Sequence, residues 1–139
     1  MFRLYSKGCE YALRALMHVE QQSEVERFQA KDVCEKAEIP EAFTRKVFQA
    51  LVQAGFLAAA RGPGGGYVLT KRSDEISLLG VIKAVDGDDS FDNCIMGLPE
   101  CGGDHPCPLH SVWAETKERL LEQLASKTLR NLIDTAQRK

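Results

Sequence analysis

The chain has 139 residues, 44% of them hydrophobic and 27% charged, which suits one compact domain with room for an appended arm. No apolar run reaches the ~20 residues needed to cross a bilayer, and the N-terminus lacks a signal-peptide core, so a cytoplasmic protein without a membrane partner is expected. The net charge of −2 conceals an asymmetry, with 11 Lys+Arg against 8 Asp+Glu up to Arg72 and 7 against 12 beyond it. Any contact with nucleic acid therefore belongs to the first part of the chain.

In chain order, Ala12, Ala15, Leu16 and Val19 recur at helical spacing and predict an amphipathic helix over 5–22 with Ser6 as its N-cap. A polar connector follows, then a short helical pattern over 30–37. The Ile39-Pro40 step breaks that pattern, and a new helix starts at Pro40 or Glu41. It continues through Phe43, Val47, Leu51 and Ala54 and stops at Gly55. Two helices joined by a tight turn, the second longer, read as a helix-turn-helix.

Residues 56–60 and 67–70 read as strands around Arg61-Gly62-Pro63-Gly64-Gly65-Gly66. A Gly-rich hairpin directly after a recognition helix is the wing of a winged helix. A nucleotide-phosphate loop is excluded, because no Lys-Ser/Thr follows and the next element is a strand. Ser77 caps a helix that ends near Gly87. After Pro108 a long helix presents Leu109, Trp113, Thr116, Leu120 and Leu124 as a stripe, most simply a dimerisation helix. A last short helix spans 128–137 with Leu129, Leu132, Ile133 and Ala136 inward.

Between the wing unit and the long helix lies Cys94-x6-Cys101-x5-Cys107-x2-His110, a loop rich in Gly and Pro. Every charged residue from Val85 to Cys107 is acidic. Three thiols with no apolar periodicity to bury them, plus an imidazole, form a donor set for an iron-sulfur cluster or zinc. An odd total of five cysteines in the cytosol argues against a disulfide framework. Direct thiol oxidation is a further chemistry for the loop, and the surrounding acids are expected to raise the thiol pKa values and slow it. Cys9 and Cys34 read as buried packing residues, His105 as a weaker ligand candidate, and His18 as a surface or packing residue.

On the second helix of the helix-turn-helix, Glu41, Ala42, Thr44 and Arg45 are expected to point outward toward bases. Glu41 can accept from a cytosine amine and Arg45 can donate to guanine. Lys46, Lys7 and Ser6 suit phosphates, Arg61 suits a minor groove, and Gly64 and Gly65 permit close backbone approach. An enzyme is not expected, since neither a nucleophile-base pair nor a nucleotide motif is present.

With the Tyr11-Ala12-Leu13-Arg14-Ala15-Leu16 run, the Arg61–Tyr67 wing, the three-cysteine loop and the long helix in this order, the chain resembles the Rrf2 family of bacterial transcription regulators over nearly its whole length. The resemblance implies a mostly α fold with a small β-hairpin wing, in which 1–86 binds DNA, 87–108 holds the cluster and 109–139 carries the dimerisation and C-terminal helices. It also implies a homodimer on a palindromic double-stranded operator, most simply a repressor, with one iron-sulfur cluster per subunit held by Cys94, Cys101 and Cys107. Family members differ in the fourth ligand. One branch uses a histidine that matches His110, implying 2Fe-2S; another uses a carboxylate before the Tyr-Ala pair that matches Glu10, implying 4Fe-4S across two subunits. A structural zinc or thiol-redox site, and a metal-dependent module that does not bind DNA, are the alternatives.

Overall fold

The computed structural model describes residues 4–19, 27–62, 65–89, 91–99, 101 and 106–137. Helix α1, Lys7–Leu16, begins where Ser6 in extended conformation accepts a hydrogen bond from the Cys9 amide at 3.1 Å. The helix is shorter than its apolar pattern suggests. At its end the amides of His18 and Val19 turn back to Ala15 and Leu16, three residues earlier, which tightens the last turn and closes it. Helix α2, Ala30–Ala37, stops at Glu38, a non-glycine residue in the left-handed region with φ 57°, whose amide caps the helix end. Helix α3, Glu41–Gln53, then starts after Pro40.

The wing consists of β1, Leu57–Ala59, and β2, Tyr67–Leu69, antiparallel with Ala58 opposite Val68. Both strands are shorter than the sequence suggests. Phe28 adds a further rung at the wing root, on the other edge of β2: its amide donates to Tyr67 O at 2.8 Å, and its carbonyl accepts from the Tyr67 amide at 2.9 Å. After a 3₁₀ turn at Ser73–Glu75, helix α4, Leu78–Asp86, is capped by the Ser77 hydroxyl, which accepts from the Gly80 amide at 2.9 Å. Helices α5, His110–Ser126, and α6, Leu129–Gln137, complete the chain.

One core joins α1, α2, α3, the wing root, α4 and α6. Phe48 is fully buried, edge-on to Phe28 and Tyr67 at centroid distances of 5.9 and 5.3 Å. Helix α6 returns to this core, with Leu129 and Ile133 fully buried and the Leu129 amide bonded to Ile76 O at 2.8 Å. Each such side chain contributes roughly 1.5–3 kcal/mol by leaving water. A second, smaller cluster of Cys9, Ile82 and Phe91 receives Leu120, Leu121 and Leu124 of α5. Helix α5 thus lies against the molecule on one side only: Trp113 is its one buried residue among those described, while Val112 and the preceding Leu109 are exposed.

Candidate metal centre and nucleic-acid face

Where α4 ends, Gly87 at φ +92° turns the chain into the loop that returns at His110. Phe91, 5% exposed, anchors the loop in the second cluster, and the Trp113 indole donates to Asn93 O at 2.9 Å. These two contacts hold the loop against α4 and α5. Gly97, at φ +78°, closes a turn by donating to Cys94 O at 2.9 Å, and the His110 amide donates to Cys107 O at 3.0 Å.

Cys94, Cys101 and Cys107 come together, their sulfurs all within 4.8 Å of one another and none of them in a disulfide. Cys94 Sγ lies 3.6 Å from Cys107 Sγ, and Cys101 Sγ lies 3.3 Å from His110 Nδ1. Two sulfurs bound to one tetrahedral metal at about 2.3 Å stand roughly 3.8 Å apart, so the donor set fits such a centre. A cavity of about 330 Å³ opens beside it, lined by Asp92, Trp113 and Lys117 among others.

Desolvation raises the Cys94 pKa, but hydrogen bonds from the Leu98 and Met96 amides and from Cys101 and Cys107 outweigh it and bring the thiol to about 7. Cys107 is pushed up to about 11, first by desolvation and then by its bonds to Cys101 and Cys94. Among the described residues, backbone amides rather than the loop carboxylates bring the Cys94 thiol down.

Glu10, the alternative fourth ligand, stands on α1 paired with Lys7 at 3.1 Å and is not part of the thiol group. His105 lies outside the described residues. Cys9 and Cys34 are buried as expected, and desolvation raises both thiols, Cys9 to about 12.

On α3, Glu41, Ala42, Arg45 and Lys46 face outward, with Arg45 paired to Glu41 at 3.2 Å. The expectation for Thr44 is overturned. Thr44 is fully buried, and its hydroxyl donates to Pro40 O at 2.7 Å. Its place, three and four residues before Val47 and Phe48, is on the inward stripe, while Phe43, expected inward, is 45% exposed and rests edge-on against Tyr11. Ser6 is likewise not open to a phosphate, since both its hydroxyl and its amide donate to Asp86. Arg61 and Lys7 are exposed, with Lys7 also over the Tyr11 ring. Gly65, at φ +52°, accepts from Gln29 Nε2 at 3.2 Å, and Gly64 lies outside the described residues. The Ser6–Asp86 link and the Phe28 rung carry no local sequence signal.

A winged helix whose α3 turns Arg45 and Lys46 outward, joined to a loop of three gathered thiols, defines a DNA-binding regulator class with a candidate metal centre. The chain belongs to the Rrf2 family: the family model, described as iron-dependent transcriptional regulator, matches residues 5–135. The HTH-type transcriptional regulator IscR of Pectobacterium atrosepticum is 34% identical over 95% of this chain and 79% of its own length. IscR of Klebsiella pneumoniae is 35% identical over 95% and 80%. Among solved structures, CymR, the global cysteine regulator of B. subtilis, matches with a TM-score of 0.76 at 21% identity, covering 97% of this chain and 98% of its own. T. potens IscR matches with a TM-score of 0.72 at 23% identity, covering 95% and 87%. The two solved structures establish the fold as the winged helix of these regulators. The curated relatives are named as transcriptional regulators, not enzymes. Among the described residues, no helix is long and apolar enough to cross a membrane.

Proposed function

We propose that the protein is a cytoplasmic, homodimeric transcription regulator whose affinity for a palindromic operator is set by an iron-sulfur cluster on Cys94, Cys101, Cys107 and His110. The carrying observation is the gathering of three free thiols within 4.8 Å, with His110 Nδ1 3.3 Å from one of them. A bound cluster would supply a redox- and iron-responsive crosslink between the loop and the start of α5. The 3.6 Å separation of Cys94 and Cys107 suits two thiolates on one iron, and His110 supports 2Fe-2S.

The chain's own residues then do the work on DNA. Asn93 and Phe91 tie the loop to α5 and to the second cluster, so loop geometry bears on the angle of α5. Exposed Val112 on α5, with Leu109 just before it, is offered to a second copy. In such a dimer the recognition helices must stand about 34 Å apart to enter one face of the major groove. A small change in that separation accounts for the roughly 1–3 kcal/mol of typical allosteric coupling.

Arg45 reads guanine and Glu41 reads a cytosine amine, while Ala42 lets the helix approach. Their mutual ion pair, exposed and four residues apart, is worth about 0.3–0.5 kcal/mol and is readily exchanged for base contacts. Lys46 and Lys7 hold phosphates. Arg61 enters the minor groove from the wing, with Gly64 and Gly65 admitting the backbone.

Structural zinc is the second reading, since the 3.6 Å pair also fits one zinc ion. Anaerobic purification with iron, sulfide and zinc analysis decides between them. Stoichiometric sulfide with visible absorbance, lost in His110→Ala and kept in Glu10→Ala, supports the 2Fe-2S reading. Zinc without sulfide excludes it.

A further inference from the structure

Resting on the regulator reading above, we propose that the thiol loop is coupled to the recognition helix of its own protomer through the first turn of α1, with Asp86 as the positioning residue that makes the link. Asp86 is the last residue of α4, directly before the glycine that turns the chain into the loop. Its Oδ2 accepts from the Ser6 amide at 2.7 Å, and its Oδ1 accepts a short hydrogen bond from the Ser6 hydroxyl, across 80 residues of sequence. The same hydroxyl caps α1 by accepting from the Cys9 amide. Hydrogen bonds to a carboxylate are stronger than neutral ones, and the positive end of the α1 dipole favours the anion there.

From Ser6 the path continues by direct packing. Gly8 has no side chain, so α1 lies flush on α3. A Cβ at that position would stand 3.1 Å from Val47 Cγ2 and 3.3 Å from Phe43 Cε1. Tyr11, one turn on, meets Phe43 edge-on at 5.7 Å. Phe43 sits between Ala42 and Arg45 on the DNA-reading turn. Cys9, in the same first turn of α1, is fully buried against Ile82 and the loop residue Phe91. A displaced loop therefore shifts the first turn of α1 through both Asp86 and Phe91, and that turn has no slack against α3. Close-packed elements of this kind move between discrete arrangements. The route acts within one protomer, whereas α5 sets the distance between two.

The test uses full-length Asp86→Ala with Asp89→Ala, an exposed loop acid, as control. Cluster absorbance, melting temperature and affinity are measured for cluster-loaded and chelator-stripped protein. The probe is a duplex selected by wild type from a random pool. Wild type is expected to show an affinity ratio of about 5- to 150-fold between the two forms. Asp86→Ala should keep its cluster while the ratio falls toward one, and Asp89→Ala should keep the ratio. An unchanged ratio in Asp86→Ala, or equal weakening of both forms, overturns the link. Cluster loss would make Asp86 part of the centre and overturn it too. Equal affinities in wild type overturn the regulator reading itself, and the link with it. If Asp86→Ala does not fold, Ser6→Gly deletes the hydroxyl while retaining a tolerated N-cap, and its ratio decides in the same way.

Discussion

Replacing Gly66 by alanine tests how the wing is mounted. Gly66 adopts φ +107°, and a Cβ there would lie 2.7 Å from the Phe28 carbonyl oxygen, which belongs to the backbone and cannot rotate away. Relief of that overlap separates Phe28 from Tyr67 and breaks the two hydrogen bonds of the rung, at 2.8 and 2.9 Å. Each bond contributes about 0.5–1.5 kcal/mol, and a non-glycine residue at positive φ costs about 1–3 kcal/mol. The expected loss of stability is about 2–6 kcal/mol. Gly55 is the matched control, at φ +88° with nothing within 4 Å of its Cβ position, so Gly55→Ala should cost only the conformational part, about 1–3 kcal/mol. Urea unfolding followed by far-ultraviolet circular dichroism gives both values, and duplex affinity reports the wing. Equal costs for the two variants would refute the close approach of Phe28 to the wing root.

Thr44→Ala should lower stability by about 0.5–1.5 kcal/mol, because the bond to Pro40 O is lost, and should leave base preference unchanged. Arg45→Ala should do the opposite, costing about 1–3 kcal/mol on the selected duplex and little on random DNA, as read by fluorescence anisotropy. Iodoacetamide at pH 8 on metal-free folded protein should modify Cys94 first, its thiol being near 7. Cys9 and Cys34 should stay intact until urea is added, with sites read by mass spectrometry. The folded-state pKa of Cys9, about 12, lies above the ordinary 9.0 of the unfolded chain. Its contribution is therefore complete below pH 9 and lost as pH rises toward 12. Stability measured over that window should fall less steeply in Cys9→Ala than in wild type, and parallel curves would exclude a buried neutral thiol.

Local chemistry made much of this fold legible. Ser77 and Gly87 bracket α4 because capping is decided by neighbours in sequence, and the same holds for Pro40 before α3. The thiol loop was legible because cysteines without apolar periodicity have no packing role. An apolar count places Phe43 inside and leaves Thr44 outside, the reverse of what the structure shows. The inward stripe is set instead by Val47, Phe48 and Leu51, and Thr44 satisfies its hydroxyl within its own helix. The end of α1 had no Gly or Pro to mark it. The Phe28 rung and the Ser6–Asp86 link join residues tens of positions apart, and nothing near either partner in sequence announces the other.

The most direct measurement is the affinity of one anaerobic preparation for its selected duplex, before and after removal of iron, over a series of salt concentrations. Cluster control of DNA binding requires the two forms to differ by about 5-fold or more. The tighter form should weaken steeply as salt rises, as expected of phosphate contacts. The same affinity in both forms, or binding indifferent to salt, would contradict it.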